Sequence, residues 1–202
     1  MVVGRAMNGW EETEFTSRDI NDGCEAVMGM CKKSFVDTTD CPLSWVEEGW
    51  GEGDKGEYRT SKSAFWRMAR RLAEHYVHCG EGWSSHLCGS NLMRVSPACR
   101  GNPPEWSYDA QLPYAAKLLA AEVEAVKPSV LLIFAGEDWF DPFAEELDPK
   151  VKLSNTHGFR YITAQGSFAG YSLVVAPHPM GKKEDVLMDE IVTCLAARPD
   201  NA

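Results

Sequence analysis

Two short apolar runs near the ends of the chain stop in residues that can do chemistry. Leu173-Val174-Val175-Ala176 gives way to Pro177-His178-Pro179, and Val2-Val3 gives way to Gly4-Arg5-Ala6-Met7-Asn8-Gly9. An imidazole between two prolines sits on stiff backbone, from which it can donate to a developing anion or contact a carbonyl. A simple turn explains the same three residues equally well. In the first loop Asn8 offers both a donor and an acceptor, and Gly4 and Gly9 let the backbone turn tightly or approach a ligand closely. No Gly-Lys-Ser/Thr follows, so this is not a Walker loop, and the three glycines of a dinucleotide fingerprint are missing. On spacing alone, a tight turn after a strand accounts for it.

Asn91 ends a third run, where its amide could read the edge of a flat polar ligand or satisfy nearby backbone groups. His75, His78 and Cys79 lie close together on one stretch of helical pattern. A metal would need further ligands that the sequence does not supply, and solvated histidines explain the spacing, so no metal is expected. No Gly-x-Ser-x-Gly elbow is present, and Ser84-Ser85-His86 is too compact to form a hydrolytic triad.

These groups need elements to carry them. The runs at 2–3, 129–136 and 173–176 are continuously apolar, as strands covered on both faces are, and 86–95 gives a shorter strand-like segment ending in the loop 96–104. Phe65, Met68, Ala69, Leu72, Ala73 and Tyr76 recur at helical spacing behind a cap at Ser61 or Ser63. A second helix is predicted over 107–127, with Leu112, Ala116, Leu119, Val123 and Val126 inward, Pro113 in its first turn and Pro128 at its end. A third is predicted over 184–197, with Leu187, Ile191 and Leu195 in register. Residues 11–60 read as a loop-rich excursion with one short helix, anchored by Trp45 and Trp50. Residues 137–172 read as irregular, with 159–163 as an extra strand and Pro142 and Pro149 breaking helical patterns. The alternation of strands and helices predicts one α/β domain over residues 1–202. Its architecture would be a three-layer αβα sandwich around a mainly parallel sheet of roughly four strands, whose carboxyl edge receives the loops with chemistry.

The chain has 202 residues, enough for one core of ordinary size. No stretch approaches the roughly 20 apolar residues of a membrane span, and no basic segment precedes an apolar one at the start, so a soluble cytoplasmic protein without a membrane partner is expected. Seven cysteines without a CxxC pair read as reduced structural thiols. The formal net charge of −10 makes the chain a poor non-specific binder of nucleic acid. Bases outnumber acids only across 61–101, through Lys62, Arg67, Arg70, Arg71, Arg94 and Arg100. Such a face could hold a phosphate, and solvated helix charges account for it as well.

Taken in order, the segments resemble the uracil-DNA glycosylase superfamily, in particular its thermostable iron-sulfur branch and its mismatch-specific branch. Val2 to Gly9 is similar to the first motif, a strand ending in Gly-Glu-Ala-Pro-Gly or Gly-x-Asn-Pro-Gly. Ser63-Ala64-Phe65 resembles the segment supplying a base-stacking aromatic, and Ser90-Asn91-Leu92-Met93-Arg94-Val95 the strand with the uracil-reading Asn. Gly101-Asn102-Pro103-Pro104 resembles the loop after that strand. Residues 118–136 are similar to the family's helix-to-strand step, and Ala176-Pro177-His178-Pro179 to its second catalytic motif.

The resemblance implies hydrolysis of an N-glycosidic bond in DNA after the nucleotide is flipped from the stack. It assigns catalysis to His178 and Asn8, and contact with a nucleobase or nucleoside to Gly4, Arg5, Ala6, Met7, Gly9, Phe65, Asn91, Pro177 and Pro179. A hydrolase of a small nucleoside-like metabolite and a non-catalytic ligand- or partner-binding protein are the alternatives. Both motifs depart from the pattern. Arg5 stands where the family's water-positioning Glu would be and Ala6 where other branches use Asp or Asn, so Asn8, Glu11 or Glu12 would have to take that part. Met180-Gly181 replaces Ser-Pro. The iron-sulfur branch needs four cysteines whose positions here hold residues such as Ser96 and Ala115, so neither a cluster nor another cofactor is expected.

Overall fold

A computed structural model describes residues 1–6, 41, 43–51, 58–96 and 101–196. Its strands are β1 (Val2–Ala6), β2 (Gly89–Met93), β3 (Val130–Phe134), β4 (Val151–Asn155), β5 (Ala164–Phe168) and β6 (Tyr171–Ala176). Its α-helices are α1 (Ser44–Glu48), α2 (Ala64–Val77), α3 (Glu105–Val126), α4 (Glu137–Glu146) and α5 (Glu184–Ala196). The strands form one six-stranded sheet in the order β2-β1-β3-β6-β5-β4. β1 pairs in parallel with β2 and β3, and β3 with β6, while β5 runs antiparallel to both β6 and β4. The expected parallel strands are thus four neighbours inside a wider, mixed α/β sheet.

Side chains alternate across a strand, and the parallel block uses both of its faces. Val3, Leu131, Ile133, Leu173 and Val175 pack with Ala115, Ala116, Leu119, Val123, Phe140 and Phe143 of α3 and α4. Val2, Leu132, Phe134, Val174 and Ala176 pack with Met68, Ala69, Leu72, Leu187 and Ile191 of α2 and α5. Burial on both faces is why these strands read as unbroken apolar runs. α2 is capped by Ser63, whose Oγ accepts from the backbone of Trp66 at 3.5 Å, and it ends on His78 in a left-handed conformation at φ 55°. Tyr76 is exposed rather than inward. Trp50 meets Trp83 edge-on at 5.4 Å and Trp45 meets Trp66 at 5.5 Å, so both tryptophans anchor their segment by packing.

Three expectations change. α3 begins at Glu105, so Pro113 is an interior residue of the helix, and the inward face runs through Gln111, Ala115, Leu119 and Val123 with Val126 exposed. Residues 137–146 form a helix despite Pro142. An interior proline costs about 3 kcal/mol, whereas burying Phe140 and Phe143, both fully buried, contributes roughly 1.5–3 kcal/mol each. Packing wins. The extra strands are β4 and β5 rather than 159–163. Within that segment Arg160 at 2.6 Å, Tyr161 at 2.7 Å and Ile162 at 3.3 Å instead give their N–H groups to the Glu190 carboxylate, and only Thr163 N–H reaches the sheet, at the Val175 carbonyl. A carboxylate that gathers successive amides satisfies them without a partner strand. No helix among the described residues is long and apolar enough to cross a membrane.

Candidate functional site

The parallel block points the ends of β1, β2, β3 and β6 toward one carboxyl edge, and four of the residues singled out from sequence meet there. Gly4 and Asn91 are register partners on neighbouring strands. A Cβ on Gly4 would stand 2.7 Å from Asn91 Oδ1 and 3.4 Å from Phe65 Cε2. The missing side chain at Gly4 is therefore the space over which the Asn91 amide and the Phe65 ring converge. Among the described residues that amide has no hydrogen-bond partner. Phe65, at the first turn of α2, is braced edge-on by Phe134 at 5.9 Å and Trp66 at 5.0 Å. It lies nearly parallel to the His178 imidazole, with ring centroids 6.4 Å apart and planes inclined by 20°.

His178 follows β6 in a tight loop. Its Nδ1 accepts from the backbone N–H of Met180 at 3.2 Å, which places the proton of the neutral ring on Nε2. Burial lowers the imidazole pKa from its ordinary 6.5, and the charge of Arg5 lowers it further. The ring is thus a neutral donor at neutral pH. Pro179 is buried and its carbonyl accepts from Lys182 N at 3.0 Å, closing a turn in which Gly181 takes φ +74°. Proline cannot adopt that angle, so this turn excludes proline at position 181.

A titration follows from this geometry. The His178 ring resonances should titrate with a midpoint below 6.5, and removing the guanidinium with Arg5→Gln should raise it. Because the folded midpoint lies below the unfolded one, the unfolded chain binds the proton more readily between them. The stability contribution of this group is complete above 6.5 and is lost as pH falls through the lowered midpoint. An unshifted His178 in an NMR titration would contradict the burial and charge described here.

Arg5 lies on the other side of the same edge. Its Nε–H donates to the Ala135 carbonyl at 2.8 Å, and its guanidinium sits 5.3 Å from the centroid of the Trp139 ring. Neither Trp139 nor the Ala135-Gly136 corner stands out in the sequence, because residues 137–146 read as irregular there and the helix N-terminus goes unnoticed. Ala6 ends β1, and Pro177 lies beside Gly136, whose N–H donates to the Ala176 carbonyl at 2.9 Å. Met7, Asn8 and Gly9 lie outside the described residues, as do Glu11 and Glu12.

Four of the six bases in the basic stretch are paired with carboxylates. Arg67 pairs with Glu184, Arg70 with Glu74, Arg71 with Asp185 and Arg94 with Glu122. The Arg67 and Arg71 pairs tie α2 to α5, the Arg70 pair lies within α2, and the Arg94 pair ties the residue after β2 to α3, so each of the four arginines already faces a carboxylate. Two hollows lie away from the edge. One of about 430 Å³, between α2 and α5, is bordered by Arg71, Glu74, His75, His78 and Met188; the other, about 150 Å³, adjoins Cys41, Ser84, Cys88 and Gly89 at the start of β2. The first is an open surface between solvated helix side chains, and the second is at the opposite end of the sheet from His178. The carboxyl edge carries the better case for a site because unpaired polar groups and a ring face converge on it. No group of three or more His, Cys, Asp or Glu among the described residues could hold a metal ion. No protein-family model matches the chain, and neither does any curated protein.

Proposed function

We propose that the protein has a uracil-DNA glycosylase-like fold whose carboxyl-edge site takes a nucleobase or similarly flat polar heterocycle, and that it hydrolyses the N-glycosidic bond to that base. The observation that carries this reading is the meeting of Gly4, Asn91, Phe65 and His178 at one edge. A planar base stacks on the Phe65 ring and its polar edge takes both the donor and the acceptor of the Asn91 amide. His178 Nε2–H donates to the base oxygen on which negative charge grows as the bond breaks. Arg5 cannot take a proton from water, so these residues serve the departing base rather than the attacking water.

The paired arginines and the net charge of −10 favour a nucleoside-like small molecule over duplex DNA as the carrier of that base. The test is chromatographic detection of free base after incubation with ribo- and deoxynucleosides and, separately, with uracil- or mismatch-containing oligonucleotides. Release from nucleosides is expected. Failure to release base from any of them, together with no nucleobase bound over Gly4 in soaked crystals, would defeat the proposal.

Gly4→Ala gives a finer check. The new Cβ must displace Asn91 Oδ1, the far end of a side chain that can rotate, so thermal stability should change little. The rotated amide no longer faces the base, and affinity for a free nucleobase should drop about tenfold, the loss of roughly one good hydrogen-bonded pairing. Calorimetric titration reads this directly, and unchanged affinity would remove Asn91 from the site.

A further inference from the structure

Base recognition leaves Arg5 unused. Its Nε–H bond to the Ala135 carbonyl at 2.8 Å occupies one of its five donors, and the Trp139 ring covers one face of the fork. Its Nη2 lies 3.8 Å from the point where a Cβ on Gly136 would stand, and Pro177 Cα is 3.9 Å from the same point. The guanidinium thus reaches from β1 over the end of β3 toward the loop that holds His178. This is where the connections of the parallel block diverge, with β2 on one side of β1 and β6 beyond β3 on the other. In open α/β sheets the crevice at such a point is the ligand position.

Two observations say what the guanidinium meets there. Arg67, Arg70, Arg71 and Arg94 each hold a carboxylate, whereas Arg5 has none among the described residues. A planar cation held in place with donors to spare is suited to an oxyanion that accepts two of them side by side. In addition, Gly4 and Arg5 are consecutive strand residues, and consecutive side chains leave a strand on opposite faces. Gly4 belongs to the face with Phe65, Arg5 to the face with Trp139. A ligand that reaches both must cross the crest of the sheet, as a sugar does when it joins a base to a phosphate.

We propose that Arg5 binds the phosphate of a nucleotide, so that the ligand of this site is a phosphorylated nucleoside rather than a neutral one. The proposal rests on the nucleobase reading above, and it also gives a reason for arginine in place of a carboxylate at position 5. The anion would sit over Ala135 and Gly136, the sugar over the end of β1, and the base against Phe65 and Asn91.

The experiment is calorimetric titration of the full chain with uridine, uridine 5′-monophosphate, uridine 3′-monophosphate and a short single-stranded oligonucleotide. The quantity read is the ratio of each phosphate-bearing affinity to that of uridine. A preference of about tenfold or more for at least one phosphate-bearing ligand is expected, as for a charge-assisted contact, and it should shrink as salt rises. The arm that gains most identifies a free nucleotide or a strand as the source of the phosphate. Arg5→Gln should erase the preference and Arg5→Lys should keep part of it, so a folding failure of one variant leaves the other and the salt series. Uridine binding with no gain from phosphate, or a preference that survives in Arg5→Gln, overturns this inference and leaves the nucleobase reading standing. Binding of none of the four ligands overturns that reading and this inference with it.

Discussion

His178→Ala is expected to slow base release by about a hundredfold or more, the lower range for loss of a positioned proton donor. In the proposed reaction the departing base becomes an anion as the glycosidic bond lengthens, and the Nε2–H of a neutral imidazole is the donor offered to it. Nδ1 is already committed to the Met180 N–H, and burial with the nearby Arg5 charge keeps the ring neutral. A bond that strengthens only as charge develops lowers kcat far more than it changes KM. His178→Gln restores an N–H donor and should recover part of the rate. Single-turnover release followed by chromatography, with thermal melting to verify folding, gives the comparison. A folded His178→Ala protein that releases base at the parental rate would remove the residue from the mechanism.

The largest effect on stability is expected at Gln111. This buried side chain accepts from Arg94 N at 3.0 Å and from Val95 N at 2.8 Å through Oε1. Its Nε2 donates to Val95 O, Ser107 O and Ser107 Oγ at 3.0–3.1 Å. Gln111→Leu fits the volume but strips two backbone amides and a carbonyl of their partners. At about 1–3 kcal/mol for each buried polar group left unmade, the expected loss is about 3–5 kcal/mol, a large part of a typical domain's stability. Urea denaturation measures it. A loss below about 1 kcal/mol would mean that water reaches these groups and takes over their bonds. The consequence extends to the site, since Gln111 fastens the chain immediately after β2, the strand that presents Asn91.

What the sequence discloses depends on how far away the cause lies. Val130-Leu131-Leu132-Ile133-Phe134 announces itself because both faces of β3 are buried, and burial on two sides leaves a run with no polar interruption. β4 and β5 carry Lys152, Ser154, Asn155, Gln165 and Ser167, the composition of an outer hairpin, and no apolar run marks them. Conversely, 159–163 has the aromatic and β-branched content of a strand, yet its amides go to Glu190 on α5, about thirty positions away. Pro142 misleads because local propensity is outweighed by two phenylalanines whose burial is visible only in the fold. The site follows the same rule. Gly4, Phe65, Asn91 and His178 are legible as ordered short motifs at strand or helix ends, whereas Trp139, Gln111 and the free fork of Arg5 acquire meaning only from long-range neighbours.

The position of β1 inside the sheet has a consequence for the newly made chain. Val2 pairs with Gly89 on one side and with Leu132 on the other, partners that lie 87 (89 − 2) and 130 (132 − 2) residues further along. β4 and β5 pair instead with their immediate successors, β5 and β6, through short connections. During synthesis β1 therefore emerges before either of its sheet neighbours, and it must be kept from wrong partners until β2 and β3 have followed. The loop that carries His178 comes later still, so the first and last strands of the parallel block meet at one edge, and the site cannot form before β6 has joined the sheet.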